Sequence, residues 1–409
     1  MISWLRIFTN DMNNSHRAAV LSLLFSRMIY AINWFNIASI FSLIASDFKQ
    51  DISLLGMVSA SFIIGIGIFQ VPGGIIAARY GPRNTAICGI IIASSSALLC
   101  GLSTDFRQLV VLRFIVGIGM AFFFGPGVTL IVSYFGRQSA GFGVGLLNSA
   151  QAMGGIIGIF VWAIFAEIIG WKQSLIISGI LGLVSGLFLV IGLPKGEEEQ
   201  QERQKIQSNT KFQIKIPDLR KILLEKSLIM IGIALLGVQI GWNLVLTFIV
   251  FYLQDSLKIN HTLAGLVGSL TLIFSLISSP IAGKIYDSIK NTKMLIITSG
   301  FAMSIGIAIN AINSLYTTIA SAIAVGFFAA WGFTIAYTLS REVNTVKAEY
   351  KTLSVSWVNG LSLSGVFWIP IVFAFVSNHL GYSVAWLLGS ILTISLILPI
   401  AMVKGIIVS

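Results

Sequence analysis

The sequence predicts an all-α membrane protein of twelve transmembrane helices, built as two six-helix bundles. Three observations carry that prediction. Hydrophobic residues make up 56% of the 409 and charged residues only 10%, against about 45–50% and about 25% in globular proteins. Apolar runs of about 20 residues, the length that crosses a bilayer, recur from near residue 18 to the C-terminus. Asn148, Gly154 and Gly170 match Asn359, Gly365 and Gly381, each 211 residues later, and Gly74 pairs with Gly283 at 209. One offset through three positions marks a duplicated six-span unit with pseudo-two-fold related halves.

In order, the spans run 18–46, 53–78, 85–104, 108–134, 140–168 and 173–193, then 227–254, 262–286, 293–313, 315–340, 352–377 and 382–404. This divides the chain into a first bundle (1–193), a polar linker (194–226) and a second bundle (227–409). The linker opens Pro194-Lys195-Gly196 and continues through three glutamates, a solvated segment with little helix. Residues 1–16 are polar and no small-residue cleavage site follows, so the first apolar run reads as a span and not as a signal peptide. Cys88 and Cys100 stand 12 residues apart on one expected helix, about 18 Å along its axis, too far for a disulfide.

The net charge of +11 would suggest nucleic acid in a soluble chain; here it follows from insertion topology. With both termini cytoplasmic, 20 of the 26 Lys and Arg fall inside and only Lys49, Arg107, Lys172 and Lys258 outside. That asymmetry fits the positive-inside rule and a multi-pass protein of the cell membrane.

After the second span stands Gly74-Ile75-Ile76-Ala77-Ala78-Arg79-Tyr80-Gly81-Pro82-Arg83. The second half has Gly283-Lys284-Ile285-Tyr286-Asp287, with Lys290 and Lys293 following, and the fourth span carries Arg113-Phe114-Ile115-Val116-Gly117-Ile118-Gly119. In this 6+loop+6 layout the chain resembles the major facilitator superfamily over essentially its whole length. The loop motif of that family is a glycine, an acid four residues later, then Gly and a basic pair; Ala78 replaces the acid in the first half. Its physical reading is a gate latch formed by Gly74, Arg79, Gly81, Arg83, Gly283 and Asp287. Glycines let helices approach closely, and charges at span ends meet opposite charges or helix dipoles.

A charge at bilayer depth costs at least about 2.5–3.5 kcal/mol on insertion scales, so each one needs a reason. None of the 15 acids lies well inside a span, and His16, His261 and His379 sit in loops or at span ends. Two arginines do lie inside. Arg27 is about nine residues into the first span, roughly 14 Å deep, and Arg113 about five into the fourth. With no carboxylate in reach, a substrate anion is the expected counter-charge, and a guanidinium grips a carboxylate bidentately. For Arg113 a purely structural role is the alternative.

Helical phase sets Tyr30 and Trp34 on the face of Arg27, with Asn33 beside them. In the seventh span Gln239, Trp242 and Asn243 share a face, with Thr247 alongside. The resemblance implies that the first, fourth, seventh and tenth spans line a central cavity, the tenth supplying Trp331, Thr334 and Tyr337. Asn148 and Gln151 from the fifth span and Asn359 from the eleventh complete the candidate substrate site, with interhelical hydrogen bonding as the plain alternative for the two asparagines.

Paired arginines in the first and fourth spans are similar to the anion:cation symporter branch. That branch carries an acid before the first arginine and another seven residues after the second; Ser26 and Met120 stand there here. The implied function is transport of a small organic anion, a carboxylate or sugar acid, by alternating access and without a buried carboxylate for proton coupling. An exporter of hydrophobic amphiphiles is the alternative, and a non-transporting membrane sensor a third. No nucleophile–base pair, metal cluster or P-loop appears, so neither an enzyme nor a cofactor is expected. The expected partners are the bilayer and a small anionic solute, for a monomer that binds no nucleic acid.

Overall fold

The computed structural model describes residues 14–49, 52–194, 216–289, 291–366 and 368–402. The body of the linker, 195–215, and Lys290 lie outside them. Eleven helices among the described residues are long and apolar enough to cross a membrane. The twelfth crossing is the eleventh in order, predicted as one helix over 352–377. It is split into Lys351–Ser364 and Ile369–Leu380. Its symmetry mate, the fifth span, is unbroken but passes through a π-helical stretch at Ile157–Val161. Residue 157 plus the 211-residue offset is 368, so both halves loosen their backbone at one equivalent place. The first span also departs from its expected course, with Asn14–Ser39 giving way to a short helix, Phe41–Phe48.

Why these segments are membrane helices is visible on their outer faces. Side chains turned outward are large and apolar, among them Ile68, Ile168, Ile191, Ile305 and Ile391, each more than 60% exposed. Water does not tolerate such a continuous belt; lipid does. Inside, small residues let backbones touch: a Cβ on Gly89 would lie 2.7 Å from the Gly119 carbonyl, welding the third span to the fourth.

The duplicated positions take duplicated conformations. Gly170 and Gly381, each just before the last span of its half, adopt φ of +88° and +84°. Glycine occupies that region without steric cost, which is why it stands at both. The halves meet chiefly through the fifth span against the eighth and the second against the eleventh. At the end of the molecule where the sixth span runs into the linker (the linker side), helix Ile216–Leu223 rests on the loop before the eleventh span. There Lys347 donates to Asp218 at 3.3 Å, and this partner raises the lysine's pKa.

Candidate functional site

Between the halves lies a cavity of about 920 Å³, counting its open mouth. Arg27, Tyr30 and Trp34 reach it from the first span, as helical phase predicts. Gln239, Trp242 and Asn243 reach it from the seventh, Asn148 and Gln151 from the fifth. Tyr337 and Asn359 complete the set from the tenth and eleventh.

Arg27 is the one charged side chain among the described residues lining this cavity, and it is only 4% exposed. Its guanidinium carbon stands 4.4 Å from the ring centre of Tyr30 and 4.7 Å from that of Phe124. Aromatic faces attract a cation, but they do not satisfy its N–H groups. Nε and Nη1 have no hydrogen-bond partner. Among the described residues, no carboxylate forms an ion pair with it.

Arg113 is equally buried and differently used. Its Nη1 donates to the backbone carbonyl of Asn33 at 3.0 Å, and its guanidinium lies 4.6 Å from the Phe62 ring centre. It ties the fourth span to the first and does not line the cavity. Asn33 is likewise outside it: its amide donates to the Ile29 carbonyl and its Oδ1 accepts from Ser178 of the sixth span. Trp331 turns away too, its indole N–H donating to Ser278 of the eighth span at 2.9 Å. Ser26 donates to the Ser185 carbonyl of the sixth span, so this position, an acid in the similar branch, faces away from the cavity.

The two repeat asparagines hold the tenth span from opposite halves. Asn148 donates to Thr334 at 3.1 Å, and Asn359 accepts from the Tyr337 hydroxyl at 2.8 Å. The first bond crosses between halves, as does the edge-to-face contact of Phe124 with Tyr337 at 4.8 Å.

The lining includes residues that the sequence reading missed. Phe124 lies 11 residues after Arg113, three turns along one face; extending that face would have found it. Phe333 precedes Tyr337 by four and stacks on it. Ser275 and Ser279 enter from the eighth span, which the family pattern did not mark as lining. Gln70, on the second span, is fully buried and neither its amide oxygen nor its nitrogen has a partner. A Cβ on Gly360 of the eleventh span would lie 3.1 Å from its Cβ.

The expected latch residues divide. Asp287 accepts hydrogen bonds from the backbone N–H of Gly141 and Phe142, at 2.8 and 2.9 Å. A carboxylate of the second half thereby caps the fifth span of the first half, where the helix dipole favours negative charge. Gly283 packs directly on Gly141, and Gly74 packs on Leu353 of the eleventh span, where a Cβ would lie 2.9 Å from the Leu353 Cα. Gly81 supplies a φ of +85° at the turn into the third span. The two arginines do not bridge the halves. Arg83 donates to the carbonyls of Leu193 and Val190, at 2.8 and 2.9 Å, closing the C-terminus of the sixth span within its own half. Arg79 lies 5.2 Å from the ring centre of Tyr80.

The model of the Major Facilitator Superfamily matches residues 23–252 and 231–405. The hexuronate transporter of Bacillus subtilis (strain 168) is 24% identical over 65% of this chain and 64% of its own length. The probable galactarate/D-glucarate transporter GudP of Escherichia coli (strain K12) is 24% identical over 64% of each chain. The chain thus spans just under two thirds of these curated relatives. The solved structure of the proton:xylose symporter XylE covers 95% of this chain and 96% of its own with a TM-score of 0.78 at 16% identity, a likeness of fold. The chain belongs to the Major Facilitator Superfamily.

Proposed function

We propose that the protein carries a small organic anion across the membrane by alternating access, the two bundles rocking about the central cavity. One observation carries the reading: a buried guanidinium lines a cavity between the halves with two N–H groups unpaired. A charge so desolvated costs several kcal/mol unless a partner arrives, and a carboxylate meets it with parallel hydrogen bonds. The names of the similar transporters, hexuronate and galactarate/D-glucarate, support an organic anion. In this reading the linker side faces the cytoplasm, with both termini, in the plasma membrane. Asp287 and the glycine contacts keep that side shut while the cavity loads. No carboxylate lines the cavity among the described residues, so the cycle is uniport, exchange, or uptake of a proton riding on the substrate. The protein acts as a monomer and performs no catalysis.

The test is uptake into proteoliposomes by the wild type and Arg27→Ala. Loss of organic-anion transport in a folded variant is the expected result; undiminished transport overturns the reading. The seven aromatic rings among the twenty lining residues favour a second reading, export of apolar amphiphiles. Competition by neutral or cationic compounds, with anions ineffective, would select it.

A further inference from the structure

The two seams between the halves are equivalent by repeat and unequal in chemistry. We propose that the linker side opens at the seam of the second and eleventh spans, while the seam of the fifth and eighth serves as the hinge. Gln70 and Ser356 are the positioning residues that favour this opening. The inference rests on the alternating-access reading and adds which seam parts.

At the fifth–eighth seam the polar groups are met. Asp287 of the eighth span caps the fifth through the N–H groups of Gly141 and Phe142. Ser149 donates across the seam to the Leu276 carbonyl at 2.7 Å. Ser279 donates to the Ser275 carbonyl of its own helix, also at 2.7 Å. Gly145 brings bare backbone against the eighth span, where a Cβ would lie 2.9 Å from the Pro280 Cα.

The second–eleventh seam carries other residues at each of these places. Ala78 stands 209 residues before Asp287 and has no carboxylate to offer the eleventh span. Gln70 stands 209 before Ser279, and Ser356 and Gly360 stand 211 after Gly145 and Ser149. Gly360 has no hydroxyl to donate. Gln70 and Ser356 are fully buried. Neither the Gln70 amide nor the Ser356 hydroxyl has a hydrogen-bond partner among the described residues. Other serines of this helix differ: Ser354 and Ser362 each donate to a carbonyl one turn back. Close packing confines both orphans. A Cβ on Gly125 of the fourth span would collide with Ser356 Oγ, and one on Gly74 would lie 3.0 Å from the Ser356 Cβ. Across the same seam, a Cβ on Gly360 would lie 3.1 Å from the Gln70 Cβ.

A buried polar group without a partner costs its full desolvation penalty. Gln70 and Ser356 carry that cost while the seam is shut. When the seam parts, water reaches the amide and the hydroxyl, so both groups shift the population toward the open state. Parting the fifth–eighth seam breaks bonds instead. Thr352 donates to Thr129 of the fourth span at 3.0 Å, so the second–eleventh seam is held at its linker end and loaded deeper in.

Hydrogen exchange of the full-length protein in lipid nanodiscs, read by mass spectrometry, compares the equivalent segments 145–152 and 356–363. The expected result is faster exchange in 356–363. Gln70→Leu and Ser356→Ala should each slow that segment about tenfold, which corresponds to about 1.4 kcal/mol, and leave 145–152 unchanged. A frayed eleventh span would exchange fast whatever stands on the second, so the response to Gln70→Leu separates a loaded seam from a loose helix. Equal exchange of the two segments in the wild type, faster exchange in 145–152, or no slowing in either variant overturns the inference and leaves alternating access standing. If both segments stay fully protected in the wild type, the linker side does not open, and the inference falls together with the reading beneath it.

Discussion

Arg27 and Arg113 are the same residue at nearly the same burial, 4% and 1% exposed, and the molecule treats them differently. Arg113 meets the Asn33 carbonyl and the ring of Phe62, both inside the first half. Arg27 meets the rings of Tyr30 and Phe124 and the side-chain hydroxyl of Tyr30, and it lines the space between the halves. A buried cation that the protein supplies with a backbone acceptor is part of the scaffold. Both guanidiniums keep two nitrogens without a partner, and only the one that lines the space between the halves is poised for something that arrives.

Arg27→Ala should reduce anion uptake by about 100-fold or more, since truncating one partner of a buried charge pair costs about 2–5 kcal/mol. Its melting temperature should hold or rise, because the variant buries one fewer unpaired charge. A thermal collapse with transport preserved in the folded fraction would erase the distinction. Arg113→Met should do the reverse. Loss of its carbonyl bond lowers stability by about 1–3 kcal/mol, read as a lower melting temperature, while the surviving protein keeps its substrate affinity.

Gln70 extends the comparison to an uncharged orphan. Replacing its unpaired amide with an apolar group of similar size, Gln70→Leu, should raise stability by about 1–3 kcal/mol, measured by thermal unfolding in detergent. A fall in melting temperature would mean that the amide is satisfied in the membrane. The smallest effect belongs to the latch. Asp287→Asn removes a charge from the start of the fifth span, worth about 0.3–1 kcal/mol. It should increase labelling of a cysteine introduced at Leu353 from the linker side. Unchanged labelling would reduce the carboxylate to a local cap.

Much of this architecture was legible in the sequence, because lipid imposes its pattern on every turn. The hydrophobic runs located the spans, and the 211-residue repeat paired Gly170 with Gly381, which share one backbone conformation. Helical phase brought Tyr30, Trp34, Gln239, Trp242 and Asn243 to the cavity. What it could not fix was the partner on the far side of each helix. Asn33 differs from Trp34 by one residue, yet it faces Ser178 of the sixth span. Trp331 finds Ser278 and Arg83 finds the last carbonyls of the sixth span. In each case a polar group took the nearest acceptor in three dimensions, a choice made by how each helix is rotated in its bundle. The break in the eleventh span escaped notice for a related reason: its residues are as apolar as an unbroken helix requires.

The positive charge that Arg27 brings to the cavity has an electrical consequence. A carrier loaded with a monovalent anion turns over as a neutral complex, and membrane voltage does little to that step. An unloaded carrier exposes its charge first to one compartment's potential and then to the other's, so its return senses the field, at up to about 2.3 kcal/mol per 100 mV. Under the proposed anion transport, net uptake into a negative interior is therefore braked at the return of the empty protein, whereas one-for-one anion exchange, which never passes through that empty step, runs at a rate indifferent to voltage.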